Sequence, residues 1–399
     1  MQPDATPQLL LDLSELVRHD ARSGVQRVTR GILTALLAAP PAGFRVRPVY
    51  DAGGYYAYAV AGGDQDGAPR QQPAPAGEEE PLRVAEGDVF LGLDLTLEAA
   101  VRNRAMLDDL RRHGVLLHFV VYDLLPLRHP EWFHAPVAAA FGAWLETIAA
   151  LADGLVCISR ATADELLDWL DLHPPTRTAP LQVGYAHLGA DIAASAPSGG
   201  IGADELALLA LLRQRPTLLM VGTLEPRKMH TQALRALERL WRDGVDVNLV
   251  IAGKAGWLLD QLGPSLRAHA EAGKRLFWLE RASDEMLLRL YQDSTALLAP
   301  SMGEGFGLPL IEAAQHGLPV IARDLPVFRE VGGEHVWYFS ADDDAELAAA
   351  LTRWLALHTA GEAPASAAMP YLDWATSAER LGDCVLRRRW YRAATVKLP

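Results

Sequence analysis

The segment from Thr295 to Leu318 constrains the fold most tightly, because an apolar run, a glycine-rich stretch and a helical pattern follow one another in it. The apolar run ends at Pro300, the sequence Gly303-Glu304-Gly305-Phe306-Gly307 follows, and apolar residues recur at helical spacing from Pro309 onward. This order is typical of a strand, a loop and a helix. The free amides at such a helix start bind anions, above all phosphates. The segment therefore predicts an α/β domain with an anion-binding loop.

Two carboxylates flank this loop. Glu304 stands among the glycines, and Glu312 follows eight residues later, one turn inside the predicted helix. The pair offers acceptors for hydroxyls on either side of a bound phosphate, which suits a nucleotide-sugar. A structural turn, with a solvated Glu304 and a helix-capping Glu312, is the alternative that these residues leave open.

The sequence Glu304-Gly305-Phe306-Gly307-Leu308-Pro309, together with Glu312, resembles the paired-glutamate signature of the retaining glycosyltransferases of family 4, which have the GT-B fold. The resemblance implies that Glu304 contacts the donor sugar and that Glu312 binds the nucleoside ribose. It also implies that the loop holds the sugar and the diphosphate, through Ser301, Gly305, Phe306, Gly307 and Leu308.

A second strand end carries two neighbouring cations. The apolar run Thr217–Val221 leads into Gly222-Thr223-Leu224-Glu225-Pro226-Arg227-Lys228. A pair of cations suits a diphosphate, because arginine binds two oxygens and lysine supplies a point charge. The resemblance assigns Lys228 to the donor diphosphate, beside Gly222 and Thr223. Many relatives have arginine where this chain has Thr223, so we expect Arg227 to replace it; a solvated helix start is the alternative.

The first half of the chain opens with a predicted strand at Leu9–Ser14 and a helix from Val25, with Gly24 at the helix start. In the family, a glycine at this turn lets the loop approach the donor, although a helix-capping role explains Gly24 equally well. The turn that begins at Arg281 is the place where relatives recognise the nucleotide base. Base identity is not readable there, because that recognition depends largely on backbone groups.

Asp123 directly follows Val115–Tyr122, the most continuous apolar run of the first half. Ligands of open α/β sheets bind beyond the carboxyl ends of the strands, so Asp123 is a candidate catalytic residue. Relatives often carry a His-Asp pair at this turn, whereas this chain has Tyr122 before the aspartate. His129 and His134 follow nearby, and both catalytic and structural roles stay open for them.

The expected architecture is GT-B: two Rossmann-like domains with parallel sheets that face each other across a cleft. We predict an acceptor-binding domain at residues 1–191, a linker at Ile192–Ala203, a nucleotide-sugar-binding domain at 204–373, and a terminal helix at 374–399 that crosses back to the first domain. That helix is expected to run from Trp374 to Tyr391. Residues 61–87, rich in Gly, Pro and acids, are expected to form an exposed excursion with little packed structure.

Composition limits the partners. Lys and Arg number 37 against 50 Asp and Glu, a net charge of −13, so no general attraction to nucleic acid is expected. The basic and aromatic segment Arg387–Arg392 suits either a peripheral membrane contact or a solvated helix end. The amino terminus lacks signal-peptide features, which favours a cytoplasmic protein. Cys157 and Cys384 cannot form a metal cluster by themselves.

The resemblance implies retaining transfer of a hexose from a nucleoside diphosphate sugar to a saccharide or lipid-linked acceptor, without a metal. The turns Thr223–Lys228 and Ser23–Arg27 most resemble bacterial mannosyl- and rhamnosyltransferases of polysaccharide and lipopolysaccharide assembly, with GDP-mannose as the favoured donor. A nucleotide-sugar epimerase and a non-catalytic nucleotide-sugar binder are the alternatives. The chain has neither a GxGxxG motif nor a P-loop, which disfavours dinucleotide oxidoreduction and P-loop nucleotide hydrolysis.

Overall fold

The computed structural model describes residues 6–19, 23–63, 69–75, 77–191 and 199–397. It divides into an amino-terminal unit, formed by Met1–Arg128, Ala135–Gly189 and Leu372–Pro399, and a carboxyl-terminal unit, formed by His129–His134 and Ala190–Tyr371. The segment His129–His134, which the sequence places in the first domain, thus belongs to the second unit. Most of the expected linker, residues 192–198, lies outside the described residues.

The strands of the described chain are β1 Gln8–Asp12, β2 Arg45–Asp51, β3 Tyr56–Tyr58, β4 Val60–Gly63, β5 Pro69–Gln72, β6 Val89–Gly92, β7 Leu116–Val121, β8 Gly154–Cys157, β9 Leu181–Tyr185, β10 Thr217–Val221, β11 Asn248–Ala252, β12 Leu276–Leu279, β13 Ala296–Ala299, β14 Val320–Arg323, β15 Trp337–Phe339 and β16 Arg392–Ala394.

The α-helices of the described chain are α1 Ser14–Arg18, α2 Gly24–Ala38, α3 Leu97–Arg102, α4 Arg104–Arg112, α5 Leu125–Arg128, α6 Ala135–Leu151, α7 Arg160–Leu172, α8 Ala203–Leu212, α9 His230–Arg242, α10 Leu262–Ala268, α11 Asp284–Asp293, α12 Leu308–Gln315, α13 Pro326–Gly332, α14 Asp344–Ala360 and α15 Trp374–Val385.

The amino-terminal unit is built on a sheet in the order β16-β9-β8-β7-β6-β1-β2-β3. The strands from β2 to β9 in that row pair in parallel, whereas the edge strands β3 and β16 pair antiparallel to their neighbours. Every residue of β1 is buried. Parallel strands that are covered on both faces appear in the sequence as continuous apolar runs, which explains why these strands were predictable.

The carboxyl-terminal unit has a parallel sheet in the order β12-β11-β10-β13-β14-β15. The strand order reverses between β10 and β13, so this pair is the topological switch point of the sheet. Ligands of open α/β sheets bind outside the carboxyl ends of the strands at such a point. The two loops with the candidate functional residues follow β10 and β13, and the two-sheet α/β architecture predicted from the sequence is confirmed.

Within the predicted excursion at 61–87, residues 64–68 and 76 lie outside the described residues, and for the rest the prediction of little packed structure was wrong in part. Strands β4 and β5 pair antiparallel, with Val60 opposite Gln72. After them, Ala74 is buried and donates its backbone amide to the Tyr50 hydroxyl at 3.2 Å. Backbone pairing of this kind leaves no mark in a composition rich in glycine and proline.

The prediction of one terminal helix from Trp374 to Tyr391 was also wrong. Helix α15 ends at Val385, and Arg388 then adopts a left-handed conformation with φ of 57°. The chain continues into β16, which pairs with β9. Trp390 packs so closely on Gly154 that a Cβ on that glycine would overlap the indole.

This turn also changes the interpretation of the basic segment. Arg387 and Arg389 both form ion pairs with Asp383, and Tyr391 donates its hydroxyl to Asp164 at 3.1 Å. The aromatic side chains that a lipid anchor needs therefore contact the protein. Among the described helices, none combines the length and the apolar character needed to span a bilayer.

Gly253, directly after β11, approaches the turn that follows β10. A Cβ on Gly253 would overlap the carbonyl oxygen of Gly222. We therefore expect Gly253→Ala to lower the free energy of unfolding by about 1–3 kcal/mol, as overpacking does. Denaturant unfolding followed by circular dichroism measures this change.

The matched control is Gly142→Ala. Gly142 lies within α6, where an added Cβ would meet its nearest atom, in Leu127, at 3.6 Å. Relief of the backbone entropy cost should raise stability there by about 0.5–1 kcal/mol. Equal stability of Gly253→Ala and the wild type would contradict the close approach.

Candidate functional site

The loop after β10 places two cations at the carboxyl end of the sheet. Gly222 turns the chain with φ of 140°, and a Cβ there would lie 3.2 Å from Cε of Lys228. A 3-10 helical turn, Pro226–Lys228, follows. The backbone amide of Met302, in the loop after β13, donates to the carbonyl of Arg227 at 2.8 Å. The two loops of the switch point are thus joined through their backbones.

The side chains join the loops as well. The Glu304 carboxylate accepts a hydrogen bond from Lys228 Nζ on Oε1 at 2.6 Å and one from Arg227 on Oε2 at 2.6 Å. Arg227 also pairs with Glu225 at 2.7 Å and donates to the carbonyl of Gly303 at 3.0 Å. Two cations thus face two carboxylates, so the formal charge of the cluster is zero. Arg227 has two acidic partners in this cluster, Glu225 and Glu304, whereas Lys228 has one, Glu304.

The Glu304 side chain is only 9% exposed. Burial raises its pKa, but the charges of Arg227 and Lys228, and hydrogen bonds from Lys228 and Ser301, outweigh burial and lower the pKa to about 2. The folded-state pKa is below the ordinary value of 4.5. The stability from these pairs is therefore present above pH 4.5 and is lost as the pH falls toward 2.

The predicted anion-binding loop leads into α12. Gly307 is the N-cap residue and has φ of 101°. A Cβ on Gly307 would lie 2.8 Å from the ring of the buried Phe328, so glycine is required for space as well as for conformation. Gly307 offers no side chain to cap the first turn of α12, in which Leu308 and Pro309 are the first residues. Of the residues assigned to sugar and diphosphate, Gly307 and Leu308 therefore belong to a helix start without a side-chain cap.

Glu312 is buried within α12 and accepts a hydrogen bond from the Tyr291 hydroxyl at 2.6 Å. Tyr291, on α11, stacks with His316 at 5.9 Å between ring centroids. Burial lowers the pKa of His316, although the charge of Glu312 opposes that shift. Tyr291 was not among the residues that the sequence singled out, because its contact with Glu312 is tertiary. The assignment of Glu312 to the ribose stays a prediction.

His230, the first residue of α9, is buried and lines the same pocket as Lys228, Ser301, Glu304 and Gly307. Burial, and then the charges of Lys228 and Arg227, lower its pKa to about 3, so the imidazole is neutral at pH 7. His230 was not among the residues predicted from the sequence. Its position two residues after Lys228 was the available signal.

Arg323, at the end of β14, was also missed. Its buried guanidinium donates to the carbonyl oxygens of Pro300 at 2.9 Å and Ala341 at 2.7 Å, and to the side chain of Gln232 at 2.7 Å. Burial lowers its pKa. Through Pro300, this side chain fixes the start of the loop that carries Glu304.

Other predicted residues lie away from this cluster. Thr223 lies in the turn after β10, where its methyl group would be 2.7 Å from a Cβ on Gly256, and Arg281 is exposed between β12 and α11. His129 stacks on Trp132 at 3.9 Å within the carboxyl-terminal unit. Among the described residues, no group of three or more His, Cys, Asp or Glu side chains is arranged to hold a metal ion.

Asp123 and Gly24 belong to the amino-terminal unit. The Asp123 carboxylate accepts a hydrogen bond from the backbone amide of Leu125, the first residue of α5, at 3.0 Å. The hydroxyl of the buried Tyr122 donates to the carbonyl of Leu93 at 2.7 Å, which is a structural role. A Cβ on Gly24 would meet nothing within 4 Å. The roles in donor approach and catalysis stay predictions.

Comparison with known proteins places this geometry in context. Residues 209–368 match the family model of glycosyl transferases group 1. The chain is 44% identical over 379 residues to the serotype-specific mannosyltransferase WbdA of Escherichia coli. This alignment covers 94% of this chain and 44% of that protein. It is also 30% identical over 126 residues to the O-antigen chain mannosyltransferase RfbU of Salmonella typhimurium. That alignment covers 32% of this chain and 35% of that protein. This chain therefore spans less than half the length of these relatives.

Solved structures show the same fold at low sequence identity. HepE of Anabaena, in complex with UDP and glucose, aligns with a TM-score of 0.60 and 15% identity over 95% of this chain and 98% of that one. The catalytic domain of starch synthase IV from Arabidopsis thaliana aligns with a TM-score of 0.66 and 12% identity, over 96% and 99%. Residues 209–368 are thus similar to the group 1 glycosyltransferases, and the two Rossmann-like sheets are those of the GT-B fold.

Proposed function

We propose that this chain is a retaining mannosyltransferase that uses GDP-mannose and extends a saccharide or lipid-linked saccharide in polysaccharide assembly. The observation that carries the proposal is the cluster of Arg227, Lys228 and Glu304 at the switch point of the sheet, beside the start of α12. The mannosyltransferase names of WbdA and RfbU support the choice of sugar. A cytoplasmic location and a membrane contact through Arg387–Arg392 stay predictions.

In the proposed reaction, the bond between the anomeric carbon and the diphosphate oxygen breaks, and a bond to the acceptor oxygen forms on the same face. The acceptor proton passes to the departing diphosphate, which leaves as the nucleoside diphosphate. Positive charge develops on the sugar during this step, and negative charge develops on the leaving group. Lys228 and the amides at the start of α12 stabilise the leaving group, and the Glu304 carboxylate faces the sugar.

The two cations have different duties in this scheme. Lys228 exchanges Glu304 for a phosphate oxygen, because one flexible contact is easily replaced. Arg227 stays with Glu225 and the carbonyl of Gly303 and holds Glu304 in place. Since protein cations and helix amides supply the positive potential, we propose that the transfer needs no metal.

The first test is a donor screen. Release of nucleoside diphosphate from each common sugar nucleotide, with a mannoside acceptor and with or without EDTA, should be fastest with GDP-mannose and unaffected by the chelator. Conversion of the donor without acceptor would indicate an epimerase, and binding without turnover a non-catalytic binder. A strict Mg²⁺ or Mn²⁺ requirement would contradict the assignment of the leaving-group charge to Lys228.

The second prediction separates the two cations. Lys228→Ala removes a charge-assisted contact, so GDP should bind more weakly by roughly 1.5–3 kcal/mol, while Glu304 keeps Arg227 as its partner. Arg227→Ala leaves Glu225 and Glu304 without their shared cation, so it should lower the unfolding free energy by about 3–5 kcal/mol. Calorimetric titration and thermal unfolding measure the two effects.

The exposed lysine Lys274 supplies the control for this prediction. Lys274→Ala should change neither GDP affinity nor stability. Wild-type GDP affinity in Lys228→Ala would refute the diphosphate assignment.

The third prediction separates the two glutamates. Glu304→Gln keeps the shape and removes the charge beside the reacting sugar, so kcat and kcat/KM should fall together by about 10²-fold, which corresponds to about 2.7 kcal/mol. Glu312→Ala removes ribose binding that is equal in ground and transition states, so it should mainly raise the donor KM. Steady-state kinetics with the true donor measure both effects.

Tyr291→Phe is the matched control for Glu312→Ala, because it removes the hydrogen bond to Glu312 and keeps the carboxylate. Its donor KM should rise less than that of Glu312→Ala. If Glu304→Gln changed KM alone and Glu312→Ala changed kcat alone, the assignment of Glu304 to the reacting sugar and Glu312 to the ribose would be wrong.

A further inference from the structure

His230 has a feature that packing does not explain. Its side chain is about 1% exposed, and its Nδ1 atom has no hydrogen-bond partner among the described residues. A buried polar atom without a partner costs stability, so such atoms are rare in native proteins. An apolar side chain of similar size would avoid that cost. Both ring nitrogens of His118 also lack a partner among the described residues, so this feature alone does not indicate a ligand. The position of His230 in the pocket beside Lys228 is what distinguishes it.

The surroundings of the ring indicate which ligand. The pocket that His230 lines also includes Lys228, Ser301 and Gly307, the N-cap residue of α12. A lysine cation and a helix start both favour an anion in this space. The imidazole is neutral there, so with its proton on Nδ1 it donates one hydrogen bond without adding charge to the balanced cluster.

We propose that His230 is a donor-binding residue whose Nδ1–H donates to an oxygen of the diphosphate held by Lys228. The proposal rests on the proposed function only in that the donor carries a diphosphate. An anionic oxygen in the pocket favours the tautomer with the proton on Nδ1, and it supplies the partner that this atom lacks in the free protein.

Substitutions of His230 that remove the donor at Nδ1 are expected to change nucleotide affinity without lowering thermal stability. In His230→Leu the unsatisfied atom is gone, so the thermal midpoint should not fall below that of the wild type, whereas nucleoside diphosphate affinity should fall about tenfold or more. The amide nitrogen of asparagine reaches the place of Nδ1, and that of glutamine reaches the place of Nε2. His230→Asn should therefore keep an affinity close to wild type, and His230→Gln should not.

The test is calorimetric titration of the full chain and its variants with GDP, UDP, ADP and inorganic pyrophosphate, together with thermal unfolding. His118→Leu is the matched control, because His118 is a buried histidine of the amino-terminal unit, and its nucleotide affinity should be unchanged. Wild-type affinity in His230→Leu would overturn the proposal. If that variant does not fold, tight binding by His230→Asn with weak binding by His230→Gln supports the proposal, and the reverse overturns it.

The panel separates this proposal from the proposed function. Binding of UDP or ADP in place of GDP would refute the choice of donor, while the His230 comparison would proceed with the nucleotide that binds. Absence of binding by every diphosphate in the wild type would overturn both the donor class and the role of His230.

Discussion

The buried contact of Glu304 with Arg227 and Lys228 holds the candidate site together. A carboxylate at this depth is tolerated only with paired charge, and two cations from the neighbouring loop supply it. Because the partners follow different strands of the sheet, the contact fixes the loop after β10 against the loop after β13. Loss of one partner from a buried pair typically costs about 3–5 kcal/mol. The two loops are therefore fixed against each other before any ligand arrives.

Less conspicuous contacts hold this cluster in place. Arg323 reaches the carbonyl of Pro300 from β14 and, among its described contacts, satisfies its buried charge with oxygens of neutral groups. Tyr291 fixes Glu312 from α11, and Gly253 lets the turn after β11 approach the turn after β10. Such supporting contacts keep catalytic groups within a fraction of an ångström of a productive geometry. The site thus depends on four strands and two helices rather than on its loops alone.

Sequence patterns predicted the parallel strands and the helix α12, because strands buried on both faces appear as unbroken apolar runs. They also singled out Glu304, Glu312, Arg227 and Lys228 as candidates, whose roles stay predictions. They missed the partners of these residues, since Arg227 and Glu304 are 77 positions apart and Tyr291 and Glu312 are 21 apart. The predicted terminal helix failed for the same reason: local pattern continued it past Val385, whereas packing of Trp390 against Gly154 turned the chain into β16.

Charge balance relates the resting cluster to the proposed reaction. The chain has a net charge of −13, and the cluster of two cations and two carboxylates adds no positive surplus to attract an anion. A bound diphosphate therefore needs one cation to change partners, and Lys228 is the cation with the fewer acidic contacts in the cluster. When Lys228 binds phosphate instead of Glu304, Glu304 loses one of its two cationic partners and keeps Arg227. In the proposed reaction, its remaining negative charge then lies where positive charge develops on the sugar, so we propose that donor binding itself creates the field for the transfer step.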